Sequence, residues 1–286
     1  MTIALIDNGS LEPAAHESLR RAAAAIGRLA GAEVAAVSWR HSDRIPAAEL
    51  GGNAAWTLGP WVRDQVARGE REFVFVPFFI SAQGAIGSAL RTELEALQAE
   101  EALQSYAALP PDSPAFSFTF TAGLAAEGVL PAIVAARIRE TAAARGLHRP
   151  AVVIVDHGGP SASSAAVRDA VASAAGELLA PAFPRPAAAS MESPPGPDFA
   201  FNRPLLAEAL DAVPVPADVI IAPLFLSPGR HAGPGGDLAE IVSEAAARRP
   251  GLRGHFTDLI GSHPVVSATL ARALRDALAR PVALPS

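Results

Sequence analysis

Three side chains in the second half of the chain, each just beyond an apolar run, offer the chemistry of a metal or acid–base site. His157 lies in Val-Asp-His-Gly-Gly (155–159), Glu192 in Ser-Met-Glu-Ser (190–193), and His231 in Leu-Ser-Pro-Gly-Arg-His-Ala-Gly-Pro-Gly-Gly-Asp (226–237). Neutral imidazole suits Co2+, Fe2+, Ni2+ and Zn2+, and a carboxylate adds charge or takes up a proton. The chain contains no cysteine. Any metal site must therefore use His and carboxylates, and disulfides, iron–sulfur clusters and thiol nucleophiles are excluded. Residue type and spacing leave three readings open: a shared metal site, histidines that only hydrogen-bond within their turns, and chemistry carried by carboxylates alone.

The elements that must position these groups come in two copies. IALIDNGS (3–10) parallels VVIVDHGG (152–159), FVFVPFFIS (73–81) parallels VIIAPLFLS (219–227), and FSFTFTAGL (116–124) parallels GHFTDLIGS (254–262). Short continuous apolar runs rich in Val, Ile and Phe are buried strands, and the stretches between them have the length and composition of helices. Each half reads β-α-β-α-β-α-β-α, which predicts an α/β fold of two similar lobes, each a four-stranded parallel sheet flanked by helices. The join falls near Arg145–Pro150, giving lobes of 1–147 and 148–286. The Pro-rich stretches 107–115 and 180–187 read as loops. Ligands of such folds bind at the carboxyl ends of the strands, which is where His157, Glu192 and His231 fall.

Half of the 286 residues are apolar and 18% are charged, with a formal net charge of −6. That balance argues against general nucleic-acid binding. The N-terminal MTIALIDNGS lacks the basic start and long apolar run of a signal peptide, and no apolar stretch approaches the ~20 residues of a membrane span. The expectation is a cytoplasmic protein with no membrane or nucleic-acid partner.

The segments VIVDHGG (153–159), SME (190–192), PLFLSPGRHAGPGGDLAEI (223–241) and LIGSHPVV (259–266) resemble the sirohydrochlorin chelatases of cobalamin and siroheme synthesis, the class II tetrapyrrole chelatases. The resemblance implies two lobes facing each other across a cleft. It also implies ATP-independent insertion of a divalent metal (Co2+, Fe2+ or Ni2+, as substrate) into sirohydrochlorin or a similar tetrapyrrole, with no organic cofactor. His157 and His231 match the family's metal-binding histidines and Glu192 its acidic residue. The same three groups are the expected catalytic set, with Glu192 or a metal-free histidine as base. For the polycarboxylate substrate, Arg185, Arg203 and Arg230 are candidate contacts by loop position, together with Gly158 and Ser227. A monomer or a homodimer fits, and a non-catalytic metal or tetrapyrrole carrier on the same fold is the alternative.

The first half departs from this pattern. Asn8 stands where His157 is expected, and Ser38-Trp39-Arg40 aligns with Ser190-Met191-Glu192, so Arg40 replaces the acid. That lobe is expected to close the cleft without binding metal, with Arg40 and His41 available to an anionic ligand. Other residues have plainer expected roles. Asp7 and Asp156 would bond loop amides, Asp237 would cap a helix, and His263 would sit at a helix start. His255 would lie in or beside a strand, His148 in the linker and His16 on an exposed helix face. Trp56 and Trp61 would cover the core.

Overall fold

The structure, a computed structural model, describes residues 1–81, 85–104 and 115–279. Nearly all of the loop expected at 107–115 lies outside the described residues, as do 82–84 of the Gly-rich turn at 81–88. Two compact units are present, Met1–Glu127 with Val266–Ser286, and Gly128–Val265.

The first unit holds β1 (Thr2–Asp7), α1 (Pro13–Ala30), β2 (Ala35–Ser38), β3 (Trp56–Thr57), α2 (Leu58–Ala67), β4 (Glu72–Pro77), α3 (Ala85–Gln104) and β5 (Ser117–Phe120). The second holds α4 (Leu130–Arg145), β6 (Ala151–Asp156), α5 (Ala162–Leu179), β7 (Ala187–Ser190), α6 (Leu206–Asp211), β8 (Ala217–Pro223), α7 (Asp237–Arg248) and β9 (Leu252–Phe256). The last helix, α8 (Pro264–Leu278), belongs mostly to the first unit. Both sheets are wholly parallel, in the orders β3-β2-β1-β4-β5 and β7-β6-β8-β9. The α/β fold of two similar sheets is as the repeat implies.

Two details differ from the sequence reading. The first sheet has a fifth strand, because Trp56 and Thr57 pair with Val37 and Ser38 at its edge. A two-residue run is too short to show periodicity. The compact units also divide the chain at 127/128 and 265/266 rather than at 147/148. Helix α4 buries Leu130, Ile133, Val134 and Ile138 and packs against α5 and β8. Helix α8 is tied to the first unit by Arg275 donating to the Leu29 carbonyl at 2.6 Å and by Arg272 to Glu127 at 2.5 Å. An apolar stripe settles on whichever surface buries it, and chain order does not dictate which.

The strands read as continuous apolar runs because both faces are covered. Ile154, Val155, Ile220 and Ile221 are fully buried, each worth roughly 1.5–3 kcal/mol of burial. The first core is aromatic: Phe73 meets Phe116 edge-on at 5.3 Å and Trp61 at 5.8 Å. Trp61 is thus a core residue, whereas Trp56 on the edge strand remains 42% exposed. The second core is aliphatic, built on Val153, Val155, Ile221 and Leu252.

His16 is not on an exposed face. It lies on the buried stripe of α1 with Leu19, Ala23 and Ile26, and its Nδ1 is 3.4 Å from the Ser38 hydroxyl. Burial, helped by the nearby Arg20 charge, lowers its pKa to about 4. Asp7 at the end of β1 accepts the Gly9 amide at 3.0 Å, the loop-amide role expected for it. Its carboxyl is pushed up to about 6 by burial, against the lowering effects of the Ser38 hydroxyl and the Gly9 amide. A folded-state pKa above the ordinary 3.8 favours the folded protein below the unfolded value, and that advantage disappears as pH rises through the folded one. Asp7→Asn keeps an oxygen for the Gly9 amide and removes the buried charge. Urea unfolding should therefore show the variant gaining stability over wild type from about pH 4 to about pH 8, by up to about 3 kcal/mol. A pH-independent difference would contradict this role for Asp7.

Candidate metal centre

The order of the second sheet reverses direction at β6, which pairs with both β7 and β8. In open α/β sheets the crevice at such a reversal, outside the carboxyl ends of the strands, is where ligands bind. His157 directly follows β6, and His231 lies on the loop that follows β8.

Beyond β6 the ladder continues past the strand. The Met191 amide donates to the Asp156 carbonyl at 2.8 Å and the Glu192 amide to the His157 carbonyl at 3.1 Å. Gly158, at φ +85°, lets the chain pass there: a Cβ would sit 1.9 Å from the Glu192 carbonyl oxygen. The first unit repeats this clasp. The Trp39 amide bonds the Asp7 carbonyl at 2.7 Å and the Arg40 amide the Asn8 carbonyl at 3.2 Å. Gly9 is again at φ +85°, and a Cβ there would lie 1.7 Å from the Arg40 carbonyl oxygen. The backbone thus places Asn8 opposite His157 and Arg40 opposite Glu192 in the duplication, with the side chains exchanged.

The two imidazoles meet. Nε2 of His157 lies 3.3 Å from Nε2 of His231, and the rings are 4.6 Å apart and nearly perpendicular. Each Nδ1 has an acceptor: the Asp237 carboxylate 2.6 Å from His231 and the Gly158 carbonyl 3.1 Å from His157. Assigned from these partners, both Nδ1 atoms carry the proton and both Nε2 lone pairs face the gap. A cation satisfies that arrangement. Nitrogens 3.3 Å apart can each lie about 2.1 Å from one ion, with an angle of roughly 104° at the metal, near tetrahedral. Glu192 approaches from the other side of His157, with Oε1 3.6 Å from Nδ1, on a side chain more than half exposed. Among the described residues no three His, Asp or Glu side chains converge as a ready ligand set.

The loop carrying His231 is folded tightly on itself. The Gly233 amide donates to the Gly229 carbonyl at 2.7 Å, the Leu238 amide to the His231 carbonyl at 3.1 Å, and a Cβ on Gly236 would strike the Arg230 carbonyl oxygen at 2.3 Å. This closeness brings Asp237 to His231. Asp237 is accordingly not the cap of α7. Gly236 occupies that position, Asp237 opens the helix, and its carboxylate points to the histidine.

The other candidates are scattered. Arg230 is on the loop, largely exposed, with Nε 3.9 Å from Asp237. Arg203 follows Asn202 near the end of β7 and is paired with Glu208. Ser227 closes the strand-to-loop turn with its hydroxyl oxygen buried and without a hydrogen-bond partner among the described residues. Arg185 is not brought to this edge: it precedes the first residue of β7, at the amino end of the sheet. His255 on β9 bonds Asp218 at 2.9 Å, His263 accepts the Val265 amide at 3.3 Å at the start of α8, and His148 is exposed in the connection. His41 has the unusual φ of +72°, and its Nδ1 is 2.7 Å from an Arg44 nitrogen.

Asp156 has a different partner from the one expected. It accepts from the Ser190 hydroxyl at 2.6 Å and faces Arg168 at 3.7 Å. Burial raises its pKa, opposed by Ser190 and Arg168. Arg168 on α5 is 1% exposed and also reaches Asp169 at 2.7 Å and the Phe201 carbonyl at 2.9 Å. Asn202 pins the loop from the far side, with its amide nitrogen 2.9 Å from the Gly159 carbonyl. Sequence reasoning missed Arg168 and Asn202. The available signal for Arg168 was a single cation amid the Ala and Val of α5.

The family model described as CbiX matches residues 151–277, which contain His157, Glu192 and His231. Three solved structures are similar over nearly the full chain. SirB from Bacillus subtilis with Fe3+ has a TM-score of 0.60 at 14% identity, covering 98% of this chain and 96% of that one. The sirohydrochlorin chelatase SirB from Bacillus subtilis subspecies spizizenii in complex with cobalt scores 0.65 at 13% identity, covering 96% and 95%. CbiX, the terminal enzyme for biosynthesis of siroheme in denitrifying bacteria, scores 0.59 at 19% identity, covering 98% and 100%. No relative was found among curated protein sequences. Among the described residues no helix is long and apolar enough to cross a membrane. At these identities the structures establish the fold: the chain has the α/β fold of these solved chelatases, and its residues 151–277 are similar to the CbiX family.

Proposed function

We propose that the protein inserts a divalent metal ion (Co2+, Fe2+ or Ni2+) into sirohydrochlorin or a closely related tetrapyrrole, without ATP. The observation that carries this reading is the pair of imidazole Nε2 atoms 3.3 Å apart, within the segment that matches CbiX. Structural neighbours that bind Fe3+ and cobalt support it. The metal is a substrate here: His157 and His231 hold it until the macrocycle nitrogens take it. Insertion moves M2+ into the ring and releases two pyrrolic protons. Departure of the metal frees both Nε2 lone pairs, so the same imidazoles accept protons as the ring gives them up. Glu192, exposed beside His157, adds a carboxylate to the metal or relays a proton to solvent. Arg203 and Arg230, with the backbone at Gly158, meet the substrate's carboxylates at the rim; the Ser227 hydroxyl is buried and does not reach them. The chain works in the cytoplasm, as a monomer or homodimer.

A non-catalytic carrier is the second reading, and one observation favours it. The first unit keeps the same backbone clasp with Asn8 and Arg40 in place of the chemical groups, so this scaffold persists without turnover. Anaerobic mixing of sirohydrochlorin with Co2+ or Fe2+, followed by absorbance, separates the two. Catalytic amounts of protein should accelerate insertion over many equivalents. A change that stops at one equivalent would make the protein a carrier.

A further inference from the structure

We infer that Asp237 is a positioning residue that presents His231 to the metal, making His231 the anchored member of the histidine pair. The inference rests on the metal-binding reading of this site. An imidazole ring has two distinguishable orientations and two neutral tautomers, and only one combination aims an Nε2 lone pair at His157. The 2.6 Å contact from His231 Nδ1 to Asp237 selects both at once. The carboxylate is an acceptor only, so Nδ1 must be the donor and Nε2 is left bare. His157 has no comparable support. Its Nδ1 faces a neutral carbonyl on its own next residue at 3.1 Å, and the nearest carboxylate is 3.6 Å away on an exposed side chain.

The carboxylate itself is held by backbone. Asp237 opens α7, its amide bonds the Arg230 carbonyl at 3.3 Å, and the next amide bonds the carbonyl of His231. Donor and acceptor therefore ride on one folded loop, and Gly236 is the residue that allows it, since any Cβ there would push against three loop carbonyls. The helix N-terminus further favours a negative group at this place. Arg230, 3.9 Å from the same carboxylate and largely exposed, is not needed for the arrangement.

The test uses the metal-free protein and Co2+ alone. Long-range 1H–15N correlation spectra should show His231 as the Nδ1–H tautomer in wild type. Asp237→Ala should release it to a mixture and weaken Co2+ binding by about 10–100-fold. Asp237→Asn, whose amide oxygen still accepts the proton, should restore the tautomer and most of the affinity. His255→Ala, at a histidine committed to Asp218, should change neither. Asp237→Ala with the wild-type tautomer and wild-type Co2+ affinity would overturn the inference. Should wild type bind no Co2+, the metal-site reading fails, while the tautomer spectra still decide the role of Asp237.

Discussion

Replacing His157 or His231 with alanine should lower metal insertion by at least about a hundredfold, measured as kcat/KM with Co2+ or Fe2+. Each variant removes one of the two nitrogens that face each other at 3.3 Å, so the ion loses half of its imidazole ligation and the departing protons lose one acceptor. The two should differ in detail. His231→Ala removes the ligand held by Asp237, and Co2+ affinity should fall with the rate. His157→Ala leaves that anchor, so measurable Co2+ binding should survive the loss of turnover. His255→Ala and His148→Ala provide controls. His255 is committed to Asp218 and His148 is exposed in the connection, and both should retain wild-type rates. Undiminished turnover in both site variants would mean that carboxylates alone do the chemistry.

The second large effect should come from a residue that touches neither metal nor substrate. Arg168→Met keeps most of the volume of a side chain that is 1% exposed and deletes a buried cation. Asp156, the Ser190 hydroxyl and the Phe201 carbonyl then lose their shared donor. Removing one partner of a buried charged network typically costs about 3–5 kcal/mol, because the groups left behind remain desolvated. Asp156 precedes His157 and Ser190 lies two residues before Glu192, so the same change loosens the carboxyl ends of β6 and β7. The expected result is a lowered urea midpoint together with weaker Co2+ binding. The three tryptophans, Trp39, Trp56 and Trp61, all lie in the first unit, so far-UV circular dichroism is the suitable probe. An unfolding free energy within about 0.5 kcal/mol of wild type would show that Arg168 is neutral to stability, as ordinary surface substitutions are.

Comparison of the two units explains why the histidine pair is informative. Both keep Gly at the clasp, both close the ladder with the same two hydrogen bonds beyond the strand, and both end that strand in an Asp whose pKa is raised by desolvation. Those shared features are backbone geometry that positions the strand ends in both units. The exchange of His157 for Asn8 and of Glu192 for Arg40 leaves them untouched, so the histidines of the second unit are not required by the fold.

Much of the molecule was legible from local patterns. Apolar runs such as VVIV (152–155) and VIIA (219–222) became parallel strands because burial on both faces demands unbroken apolarity. The repeat of Asp, polar residue and Gly marked the clasps, and the small-residue loop drew attention to His231 as a candidate. These signals arise from spacing along the chain, which the sequence displays directly. Tertiary structure alone decided which groups became partners. It set His157 and His231, 74 residues apart, at 3.3 Å, and turned Asp237 from the expected helix cap into the support of His231. It also buried His16 and Arg168, left Arg185 at the amino edge of its sheet, and placed α4 and α8 in units other than those of their own halves. Each of those outcomes depends on distances between elements and on which face a helix presents. Periodicity reports that a stripe exists; only packing selects the surface that covers it, and hence which polar groups meet.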